Sequence, residues 1–64
     1  MALTVEGWQS YIRNVNRKIA EIDKLDEELG DVCREAREAG RFFLSEDLAK
    51  AEKALADARR LEAG

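Results

Sequence analysis

The sequence predicts an all-α protein, a helical hairpin, and three observations carry that expectation. Proline is absent, charged residues make up 39% of the 64 positions with Ala, Glu, Lys, Leu and Arg dominating, and apolar residues recur at steps of three and four. One long helix is expected at about 5–39 and a shorter one at about 46–62, together a single domain over 1–64. A chain of this length hides only about 60% of its unfolded surface, so it needs a staple or a partner. One cysteine excludes an internal disulfide, and the absence of histidine disfavours a structural zinc site.

The first helix has a start signal at Thr4. Its hydroxyl can cap the free amides of the first turn, Leu3 and Trp8 have the spacing of a hydrophobic staple, and Glu6 complements the helix dipole. The apolar positions then run Trp8, Ile12, Val15, Ile19 and Ile22, one stripe in heptad spacing. The next heptad position is Asp26, and the apolar seam is expected to drift to Leu25 and Leu29. Beyond lies "ELGD", which could end a helix at Gly30. Val32, Cys33, Ala36 and Ala39 continue the phase of Leu25 and Leu29, however, and predict a helix that runs on through Gly30.

Gly40 is the expected stop, with Arg34, Arg37 and Arg41 near that end. Ser45 would cap the second helix, whose first turn holds Glu46 and Asp47 and whose Leu48, Ala51, Leu55, Ala58 and Leu61 form its stripe. The link between them, "GRFFLSED", then forms the tip. Its Phe42 and Phe43 are expected either to plug the end of the core, one ring buried, or to form a docking tip for another protein.

Unequal helices have a consequence. A second helix of about 17 residues would leave Trp8, Tyr11, Ile12, Val15, Ile19 and Ile22 without an intramolecular partner, and a stripe of that size marks a dimer or partner interface. Residues 8–20 carry three bases and no acid, whereas residues 21–38 carry eight acids against three bases. Two copies packed antiparallel would set opposite charges together, in a coiled-coil or four-helix-type bundle.

Few catalytic means are visible. There is no histidine base, no glycine-rich phosphate loop and no serine elbow, so no catalytic, cofactor-binding or metal-ligating residues are assigned and the protein is not expected to be an enzyme. Glu27, Glu28 and Asp31 read as a solvated acidic face, and Cys33 as a small core residue. "WQSYIRNVNRK" mixes aromatic and basic residues as some nucleic-acid contacts do, but a net charge of −3 argues against that partner. No apolar run approaches the roughly 20 residues that span a bilayer, and "MALTVEGWQ" lacks the basic and apolar parts of a secretion signal. A soluble, cytoplasmic protein is expected.

At the level of architecture the chain is similar to the small helical-hairpin chaperones and inhibitors of bacteria and bacteriophages, although none of their motifs can be placed on its residues. The expected function is a non-catalytic protein–protein interaction module, homodimeric, acting as an inhibitor or chaperone-like adaptor of a larger protein. A purely structural coiled-coil assembly piece is the alternative, and a nucleic-acid-binding regulator the second.

Overall fold

Thr4 starts the first helix as its sequence predicts: its hydroxyl accepts from the Gly7 amide at 3.1 Å, and its carbonyl accepts from Trp8 at 3.0 Å. The computed structural model describes residues 3–63. It is all-helical, with α1 (Val5–Leu29) and α2 (Arg34–Ala63) lying side by side as a hairpin, 49 Å long and about 15 Å across.

The hairpin folds at a different place from the one the sequence suggests. Helix 1 does not reach residue 39; it ends at Leu29, and Gly30 is its cap, with φ +57° and ψ −121°. That combination is accessible to glycine and strained for any residue with a Cβ. The Gly30 amide still donates to Asp26 O at 3.1 Å, and Val32 to Leu29 O at 3.1 Å, so the turn closes on its own backbone. Gly40 is no stop, Ser45 is no cap, and "GRFFLSED" is no tip. All three lie inside the 30-residue α2.

A corrected turn makes the helices nearly equal, 25 residues against 30. The premise that half of helix 1 lacks an intramolecular partner therefore fails. Helix α2 runs along the whole stripe; Val15 of α1 is buried to 5% exposure and Ala51 of α2 to 2%. Trp8, Ile12, Ile19 and Ile22 are half-buried in the same seam, facing Leu44, Leu48, Leu55 and Ala58 of α2 at the complementary spacing. Gly40 sits here too, where an added Cβ would lie 3.6 Å from Ile22 Cδ1, an ordinary contact.

Nor does the seam drift at Asp26. The heptad continues through it, and α2 supplies two arginines to receive the charge. Arg37 Nε donates to Asp26 Oδ1 at 2.6 Å, and Arg41 pairs with both Asp26 and Asp23. Leu25 and Leu29 are consequently left outside the seam, both exposed. Val32 and Cys33, expected on the apolar stripe, are exposed residues of the turn.

Two glycine substitutions separate this topology from the one read off the sequence. Gly30→Ala is expected to lower stability by about 1–2 kcal/mol, because a Cβ is strained at that φ and ψ even with open space around it. Gly40→Ala is expected to raise it by about 0.5–1 kcal/mol, removing a flexible residue from a helix interior with room for the methyl. Thermal melts of the two variants decide; a turn at residue 40 would reverse both signs.

Candidate interaction surface

Two structures stand out once the hairpin is built: a polar clasp at the turn and an apolar flank along one side. The clasp centres on Arg37, the one charged side chain buried among the described residues, at 8% exposure. Its guanidinium spreads donors over Asp26 Oδ1, the Val32 carbonyl at 2.6 Å and the Gly30 carbonyl. A single side chain thus satisfies two carbonyls of the turn and one carboxylate of α1, locking the turn to both helices.

Hydrogen bonds from Arg41 and then Arg37, with their charges behind them, hold the Asp26 carboxyl below the usual carboxylate range, and Asp26 in turn raises Arg41. The sign follows from linkage. A carboxyl whose folded value is depressed contributes stability that is complete above its unfolded value, about 3.9, and is lost as pH falls through the lower folded value. Acidification from pH 6 to pH 2 should therefore weaken the hairpin, and Asp26→Asn should be less stable near neutrality and lose less on the way down. Helicity melts across that range check it; parallel acid profiles for the two proteins would remove the clasp from the explanation.

The flank is apolar by placement. An open depression of ≈ 260 Å³ is lined by Leu3, Trp8, Tyr11, Asp47, Lys50 and Ala51. It sets the Tyr11 side of α1 beside the Asp47–Lys50 side of α2. From Tyr11, steps of seven and four lead through Lys18 to Leu25 and Leu29. Phe43 and Leu61 share the side of Asp47 and Lys50 by the same spacing. Leu3, Tyr11, Leu25, Leu29, Phe43 and Leu61 are all exposed, Phe43 at 64% and Leu61 at 82%. The opposite flank carries Asn16 and Asp23 of α1 with Arg41, Ser45, Glu52 and Arg59 of α2, and is polar.

The sequence-predicted residues divide between these places. Of the six proposed on helix 1, Val15 belongs to the hairpin's interior and Trp8, Ile12, Ile19 and Ile22 line its seam, while Tyr11 reaches the flank. Trp8 and Tyr11 meet edge to face, ring centroids 5.8 Å apart at 76°. Phe42 and Phe43 make a similar pair, 5.9 Å at 70°, but neither ring plugs the core: both are exposed at mid-helix. They diverge, Phe43 to the flank and Phe42 to the back of α2, two and a half turns from Ala51 and so opposite the seam. Sequence reasoning missed Leu25, Leu29 and Phe43 as one surface; the signal was Asp26 holding its heptad place with Arg37 and Arg41 eleven and fifteen residues on.

Among the described residues no group of three His, Cys, Asp or Glu side chains could hold a metal ion, and no helix is long and apolar enough to cross a membrane. No known protein family, curated protein or solved structure matches this sequence.

Proposed function

We propose that this hairpin is a non-catalytic interaction module that completes its core by laying its apolar flank against another helical surface. The carrying observation is its surface. A compact monomer of 7.2 kDa exposes about 4,100 Å², whereas this hairpin exposes 5069 Å². Among the described residues Val15 and Ala51 are the buried apolar ones, while eight large hydrophobics are exposed, six of them on one flank. Exposed large apolar residues gathered on one side, here with Lys18, Asp47 and Lys50 among them, mark an interaction surface where singly scattered ones do not. The whole hairpin measures 49 × 16 × 15 Å, so one entire side of it is on the order of 700 Å² in projection, the scale of what one partner contributes to a standard interface. Tyr11 and Phe43 supply the aromatic anchors that such interfaces favour.

An inhibitor or chaperone-like adaptor would use this flank to hold a larger protein; a structural assembly piece would use it for copies of itself. Both readings are tested by Leu25→Asp/Phe43→Asp, which charges the flank and leaves the seam intact. Native capture from the source cell, paired with sedimentation, compares it with the wild type. A stoichiometric associate held by the wild type and lost by the double variant supports the module. Identical behaviour of two equally helical proteins would discard it.

A further inference from the structure

Resting on the reading of the flank as an interface, we infer that its occupant is a second copy of this chain, packed with the two turns at opposite ends. Charge along the hairpin carries the inference. The half that holds the turn, residues 19–44, has eight acids and four bases; the open half, made of both termini, has six acids and seven bases. Two hairpins can meet flank to flank about either of two dyads. One brings the turns together and sets acidic half on acidic half. The other sets them apart, so that each acidic half lies on the weakly basic half of the other copy. The second arrangement also lays α1 on α1 and α2 on α2, each pair antiparallel, as in a four-helix bundle.

Register agrees with charge. The ion pair of Arg41 with Asp23 and the approach of Gly40 to Ile22 place Phe43 level with Ile19 to Glu21, within a turn of Lys18 on the flank. A dyad there brings Phe43 beside its twin and sets Leu25 of one copy within about a turn of Tyr11 of the other. Leu29 then arrives at the depression bounded by Leu3, Trp8 and Tyr11, which has room for an apolar side chain. Along the edges the same dyad brings Arg17 and Lys18 within a turn of the other copy's Glu21, and Lys53 near the other copy's Glu35. The two helix pairs thus accept one centre.

Cys33 makes the arrangement measurable, since it is exposed in the turn and is the only thiol. Sedimentation of the full chain at micromolar concentration, followed by spin–spin distances between nitroxides on Cys33, is the test. A dimer with labels separated by about 30–40 Å is expected, twice the roughly 15 Å that α2 rises from Cys33 to the dyad at Phe43, with the offset between facing helices added. Turns packed together would bring the labels within about 20 Å, the scale of neighbouring helices, and would overturn the orientation. Glu35→Lys should weaken the dimer by about tenfold, and adding Lys53→Glu should restore it; no rescue counts against the register. Phe43→Asp, exposed in the single hairpin, should stay helical and sediment as a monomer. A wild-type monomer that still holds another protein through the flank overturns the second copy and leaves the module standing. A wild-type monomer that holds nothing sinks both.

Discussion

Val15→Asp is expected to unfold the hairpin outright at 25 °C. Val15 is the most buried large apolar side chain among the described residues, shut between the helices at 5% exposure. Losing it forfeits about 1.5–3 kcal/mol of burial, and the incoming carboxylate must either be desolvated without a partner or force the helices apart. A single core in a chain this short seldom supplies more than about 3–5 kcal/mol, so no reserve remains. Val15→Ala, which only thins the seam, should cost about 1–2 kcal/mol and stay folded. Far-UV circular dichroism at several protein concentrations is the check. Because the residue lies inside one hairpin, loss of helix should be independent of concentration. A Val15→Asp protein that keeps its helix content would mean that α2 does not cover this stripe.

Arg37→Ala carries the second large effect, about 2–4 kcal/mol of lost stability. The side chain makes three hydrogen bonds, to Asp26, Val32 O and Gly30 O, and its removal strands two turn carbonyls and half of a paired carboxylate. The lower end applies where water reaches the freed groups, since Asp26 is partly exposed. Arg37→Lys should recover only part of the loss, because an ammonium cannot reach three acceptors set around a planar fork. Urea unfolding of the three proteins measures both steps. Equal midpoints for Arg37→Ala and the wild type would show that Gly30 and the seam set the turn without the clasp.

Much of the fold was readable because helices are local. Thr4 capping, the heptad from Trp8 to Ile22 and the stripe from Leu48 to Ala58 each depend on residues within a few turns, and each is where the sequence places it; Leu61, expected to end that second stripe, is instead exposed. The interaction surface was not readable in the same way. Tyr11, Leu25, Leu29 and Phe43 become one flank only when the turn is at Gly30, since that alone sets which residues of α2 stand beside which residues of α1.

The sequence by itself determined two amphipathic helices, their antiparallel pairing, the paucity of core and the excess of apolar surface. Composition and a 3.6-residue period are enough for that. What the tertiary structure alone decided is where the chain reverses. Gly30 and Gly40 each resemble a stop, and helix propensity differs between the alternatives by about 1 kcal/mol or less. The choice falls to contacts distant in sequence. Folding at Gly30 lets α2 cover Val15 and gives Asp26 two arginines, whereas folding at Gly40 would leave Asp26 without them and Val15 bare. Burying an apolar stripe and pairing an aspartate outweigh keeping Leu25 and Leu29 inside, and the two leucines left over become part of the surface through which the hairpin is proposed to act.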